Sequence, residues 1–169
     1  MVRIRVLIVG LTGAALLLAG CTAAEPEPEE LTVTAAGARY LEAVCPVNEA
    51  WDAVDVEVER LRIAVARGEA GDTSDLGKRL ATLEAQSAAA AETLADPSVA
   101  WPGGATPAVE SVAKTLADDA EQAGSIAEME AQEAVDYRWD GAATIAETAA
   151  AARAALGLPE DPVVACAAR

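Results

Sequence analysis

From residue 34 onward the chain repeats apolar positions at the period of an α-helix. Tyr40, Val44, Val47, Trp51, Val54, Val58, Leu61 and Val65 follow at intervals of 4, 3, 4, 3, 4, 3 and 4, which places them on one stripe of a long helix. Glu49, Asp52, Glu57, Glu59, Arg60 and Arg67 fall mainly on the other faces. Pro46 lies inside this pattern and is expected to kink the helix or split it, and Gly68 and Gly71 are expected to end it. A second stripe runs through Leu76, Leu80, Leu83, Ser87, Ala90 and Leu94. Asp72 and Asp75 supply capping and first-turn charge at its start, and Asp96-Pro97 stops it.

After a loop around Trp101, Thr106-Pro107 reads as an N-cap with proline in the first helical position. The third stripe takes Val109, Val112, Leu116, Ala120, Ala123 and Ala127, and its helix is expected to reach about Val135. Residues 137–141 read as a break or tight turn. A short fourth helix is expected over 142–156, closed by Gly157 with Pro159 beyond it. No segment alternates apolar and polar residues as a half-buried strand does. The predicted fold is therefore all-α: an up-down antiparallel bundle of three long helices and a short fourth, with 34–169 as the bundle domain.

The first residues obey different rules. Arg3 and Arg5 precede an uncharged apolar run from Val6 to Ala19. That run is too short to span a bilayer but suits the apolar core of a signal peptide. It ends in Leu18-Ala19-Gly20-Cys21, which resembles the lipobox of bacterial lipoproteins. The resemblance implies cleavage after residue 20 and a diacylglyceryl group on the sulfur of Cys21. Residues 1–20 are then a cleaved signal peptide. Residues 21–33 are a lipidated cysteine with an acidic linker, in which Pro26 and Pro28 favour extended backbone. About twelve such residues at about 3.1 Å each hold a domain on the order of 35 Å from the membrane.

Composition narrows the chemistry. The 169 residues include 43 alanines, no histidine and no phenylalanine, and the net charge is −16. Without histidine the commonest general base and most zinc and di-iron sites are missing, and no metal site or cofactor is expected. Twelve basic residues against 28 acidic ones argue against nucleic acid as a partner. Loss of Arg3 and Arg5 on cleavage leaves a net charge of −18, so anionic headgroups repel the domain. With Cys21 acylated, Cys45 and Cys166 remain as an even pair on an oxidising side of the membrane, and a disulfide between them is expected.

Carboxylates are the only abundant reactive groups. Asp118, Asp119, Glu121, Glu128, Glu130 and Glu133 read as the solvent face of one helix, and Asp136 with Asp140 lacks calcium-loop spacing. Trp51 belongs to the core stripe. Trp101 and Trp139 sit at helix connections, where they close the bundle ends or offer an aromatic patch to a partner. Asn48, in the turn opened by Pro46, is expected to satisfy a freed carbonyl rather than touch a ligand.

The segment Tyr40-Leu41-Glu42-Ala43-Val44-Cys45-Pro46-Val47-Asn48, the run from Ala154 to Asp161 and the terminal Cys166 resemble all-helical lipoproteins of GC-rich Gram-positive bacteria, a resemblance that carries over no catalytic residue. The functional expectation is a non-enzymatic interaction or accessory module. It is lipid-anchored at the extracytoplasmic face of the cell membrane, with another envelope protein as its partner and no assigned oligomeric state. The alternative is a ligand- or cation-binding lipoprotein, for which the alanine-rich core is expected to leave little room. An enzyme working with carboxylates alone is the third reading.

Overall fold

Thr32 opens the first helix: its Oγ1 accepts from the Ala35 amide at 3.2 Å, satisfying one of the free N–H groups of a helix start. The computed structural model describes residues 28–169. The expected signal peptide, the expected lipidation at Cys21 and most of the expected linker lie outside these residues. The described residues form six helices: α1 Val33–Ala66, α2 Ser74–Leu94, α3 Thr106–Ile126, α4 Ala131–Asp136, α5 Ala142–Ala155 and α6 Pro162–Ala167. They make an all-α bundle. Its one β-type pairing among the described residues is an isolated bridge between Glu30 and Ala100, with the Leu31 amide donating to the Ala100 carbonyl at 2.8 Å. No described helix is long and apolar enough to cross a membrane.

The second helix is the centre of the bundle. Its stripe of Leu76, Leu80, Leu83, Ser87, Ala90 and Leu94 is buried throughout, because α1 and α3 pack on either side of it. On α1 the stripe divides. Tyr40, Val47, Val54 and Leu61, seven residues apart, are buried, whereas Val44, Trp51 and Val58 between them are partly covered. The buried set meets the long helices. On its other flank α1 meets the short helices α4 and α6, whereas α5 packs chiefly on α3.

Two boundaries differ from the sequence expectation. Helix α1 runs through Pro46 as one 34-residue element, so the proline does not split it. The third helix stops at Ile126, nine residues before the expected end. The chain turns there, the Met129 amide donating to the Ile126 carbonyl at 3.0 Å, and starts again as α4, whose Ala134 is buried against the flank of α1. Burial of Ala134 and partial burial of Val135 on α1 outweigh the helix propensity of 127–135. The fourth expected helix is α5, ending at Ala155 with Gly157 at φ 64°. The C-terminal segment, expected as a tail, contains the short helix α6. Asp161 caps it, Oδ1 accepting from the Val163 and Val164 amides at 2.8 and 3.3 Å.

Cys45 and Cys166 are joined with Cα atoms 5.7 Å apart, as the cysteine count predicts. The bond ties α6 to the middle of α1, 121 residues earlier in sequence.

Candidate functional site

The site is assembled by the 137–141 connection, which the sequence predicts as a break or tight turn. Two α3 side chains one turn apart, Asp119 and Gln122, hold the 137–141 turn. Trp139 Nε1 donates to Asp119 Oδ1 at 2.7 Å. Gln122 Oε1 accepts from Tyr137 Oη at 3.0 Å and from the Asp140 amide at 2.8 Å, while its Nε2 donates to the Asp140 carbonyl at 3.3 Å. Gly141 takes φ 79°, a left-handed conformation that glycine adopts without penalty, and turns the chain into α5. Held this way, Trp139 meets Trp51 of α1 edge to face, with ring centroids 4.4 Å apart and planes at 71°. Tyr137 also meets Trp139 edge to face, with ring centroids 6.1 Å apart.

Beside the tryptophan pair lies an open groove of about 580 Å³ between α1, the start of α5 and α6. Trp51, Trp139, Ile145, Val163 and the Cys45–Cys166 bridge give it an apolar lining. Glu49, Asp52 and Asp55 stand along its α1 edge, one helical turn apart and exposed. The volume falls within the roughly 300–1,000 Å³ usual for small-molecule sites. It corrects the expectation that an alanine-rich core leaves little room: the space lies between the long helix and its thin cover of short elements, not between the long helices.

The sequence-predicted residues distribute unevenly around this groove. Trp139 lines it and is partly exposed. Trp101 does not reach it. Trp101 is 6% exposed with Nε1 donating to the Leu94 carbonyl at 3.1 Å, so it closes the bundle end and offers no surface to a partner. Trp51 is only partly buried, because one side of its ring lines the groove. Asn48 is a groove residue too. Its Nδ2 donates to Cys166 Sγ at 3.6 Å rather than to a carbonyl freed by Pro46, because the disulfide brings the sulfur to that turn. Among the described residues no three acidic or cysteine side chains converge as metal ligands.

Asp119 corrects the reading of α3's acidic face. It is 1% exposed, and its Oδ2 has no hydrogen-bond partner among the described residues. Desolvation raises its pKa above the ordinary carboxylate value; the Trp139 hydrogen bond lowers it in part, and the Asp118 charge adds to the rise. A sequence signal for this exists. Val112, Leu116, Asp119, Ala123 and Ile126 are spaced 4, 3, 4 and 3, the same alternation as on α1, so Asp119 occupies a core register. Filling that register with Ala120 hides it.

The shift has a testable consequence. A carboxyl whose folded pKa lies above its unfolded pKa favours folding in its protonated form. Its contribution is therefore greatest in acid and falls as pH rises through the folded value. Asp119→Asn keeps an acceptor for Trp139 and does not titrate. The stability of wild type relative to Asp119→Asn, measured by urea unfolding, is expected to decline from about pH 4 toward neutrality, where model carboxyls have already ionised. A difference that stays flat or rises with pH contradicts the burial argument.

No protein-family model, curated protein or solved structure matches the chain.

Proposed function

We propose that this protein is a lipid-anchored binding protein of the extracytoplasmic face of the cell membrane, holding a small ligand in the Trp51–Trp139 groove without transforming it. The groove carries the binding half of the reading: about 580 Å³ of apolar-lined space, edged by side chains held in place by a disulfide and by the α3 hydrogen bonds. The lipobox-like run ending at Cys21 supports the anchor, and two or more acyl chains on one residue suffice for stable attachment. With the acidic linker between them, the groove stands clear of the bilayer, open to solutes.

The interaction-module reading keeps one observation in its favour. Val163 and Val164 on α6 are 74% and 54% exposed, an apolar step at the lip of the groove where a second envelope protein can rest.

Both halves are open to direct tests. Wild type is expected to incorporate labelled palmitate and enter the detergent phase on Triton X-114 separation, and Cys21→Ser is expected to do neither. Equal partitioning of the two removes the anchor. In a thermal-shift screen of small organic molecules, a saturable rise in Tm is expected for wild type. Ile145→Trp, which fills the groove, is expected to suppress it. Absence of any saturable shift, or shifts indifferent to Ile145→Trp, removes the groove as a binding site.

A further inference from the structure

We infer that the groove selects small organic cations, an ammonium or guanidinium group carried on an apolar body. The inference rests on the groove being a binding site and adds the class of ligand.

Three observations converge on it. The first is the state of the aromatic rings. Trp139 has one polar hydrogen, and that hydrogen is spent on Asp119 Oδ1 at 2.7 Å, on the α3 side. Toward a ligand the indole therefore acts through its π-system and carbon framework. Donation to a carboxylate also pushes electron density into the ring, which strengthens its attraction for a cation. Trp51, at 4.4 Å, extends the same surface.

The second is the sign of the surrounding charge. Among the described residues, every charged side chain lining the groove is acidic: Glu49, Asp52 and Asp55. Glu49 is shared with Arg169, whose guanidinium lies 3.1 Å from its Oε1. Asp52 and Asp55 have no ion-pair partner among the described residues. They leave uncompensated negative charge next to aromatic surface. The whole chain, at −16, adds a field that attracts cations and repels anions.

The third is the apolar remainder. Ile145, Val163, Pro162 and the disulfide offer nothing to replace the water shell of a compact inorganic ion, which favours sites built of several oxygens. An organic cation of low charge density loses its water cheaply and covers these groups with its own carbon. The three carboxylates, strung along one helix edge without converging, suit a diffuse positive charge better than a point one.

The test uses the full chain in maltoside micelles and three probes of similar size: phenyltrimethylammonium, benzenesulfonate and benzyl alcohol. The readout is the shift of the Trp51 and Trp139 indole N–H signals in NMR titrations. Phenyltrimethylammonium is expected to give saturable shifts at both signals, with an affinity at least about tenfold above the other two. Trp51→Leu, which leaves the Trp139–Asp119 bond in place, is expected to weaken it about tenfold, read at Trp139. Glu49→Gln/Asp52→Asn/Asp55→Asn is expected to weaken it as well. The matched triple Glu92→Gln/Glu110→Gln/Glu128→Gln, exposed and outside the groove lining, is expected to leave it unchanged. Equal effects of the two triples mean that bulk charge alone attracts the cation, and they overturn the inference. Benzyl alcohol or benzenesulfonate binding as tightly as the cation also overturns it, while the groove keeps its standing as a binding site. If no probe moves either indole signal, the inference and the groove reading fall together.

Discussion

Removal of the Cys45–Cys166 bridge, by Cys45→Ala with Cys166→Ala or by reduction, is expected to lower the unfolding free energy by about 4 kcal/mol. The bond closes a loop of 121 residues, for which the loss of unfolded-chain entropy amounts to about 5 kcal/mol, and relaxation of the native state takes some of that back. A second effect is local. Helix α6 has six residues, too few to persist without tertiary support, and two of them, Val163 and Val164, are mostly exposed. Its hold on α1 passes through Cys166, the buried Ala165, the Asn48–Cys166 contact and the exposed Arg169–Glu49 pair, which contributes little. Without the bridge, Pro162, Val163 and Cys166 leave the groove wall while α2 and α3 stay packed. Urea unfolding followed by far-UV circular dichroism measures the first effect. Loss of ligand-induced shifts at Trp51 and Trp139, below the unfolding midpoint of the reduced protein, measures the second. A stability change under about 1 kcal/mol contradicts the loop-entropy argument.

The two effects separate what could be read in the sequence from what could not. Helix α2 was legible almost to the residue, because one amphipathic stripe is buried by partners on both sides. The disulfide is legible because the acylation expected at Cys21 leaves two cysteines to pair. The end of α3 was not. Residues 127–135 contain neither glycine nor proline, so nothing local stops the helix, and the turn at Met129 depends on packing against α1. The groove is illegible for the same reason: it is the gap between α1, the 137–141 turn, the start of α5 and α6, whose positions follow from tertiary contacts. Of its lining, Trp51 and Trp139 drew attention as aromatics. Local sequence gives Asn48 a partner in its own turn, which the disulfide displaces, and a helical stripe drawn through Ala120 puts Asp119, which orients Trp139, on the solvent face. Solvent-facing acids and groove-edge acids such as Asp52 and Asp55 have the same helical spacing, and only the arrangement of α5 and α6 distinguishes them.

Leu83→Ala is expected to cost about 3–4 kcal/mol, and Ser87→Ala, one turn away on the same stripe, to add about 1 kcal/mol of stability. Leu83 is fully buried on α2, in the helix that packs on both α1 and α3. Many of the buried residues on those two helices are alanine: Ala43 and Ala50 on α1, Ala113, Ala120 and Ala123 on α3. Alanine has no further side-chain atoms to move into a vacated volume, so the cavity left by Leu83→Ala persists and the cost approaches the upper part of the range for such truncations. Ser87 is also fully buried, but its Oγ has no hydrogen-bond partner among the described residues. The hydroxyl is desolvated without compensation, and alanine removes that penalty, loses little volume and gains helix propensity. The m-value is expected to stay constant in both variants, since neither changes the surface exposed on unfolding. Opposite signs at two equally buried positions test whether this core is limited by its few large side chains or by its overall density. Destabilisation at both, of similar size, means that tight backbone approach along α2 carries the bundle and that Leu83 is one contact among many.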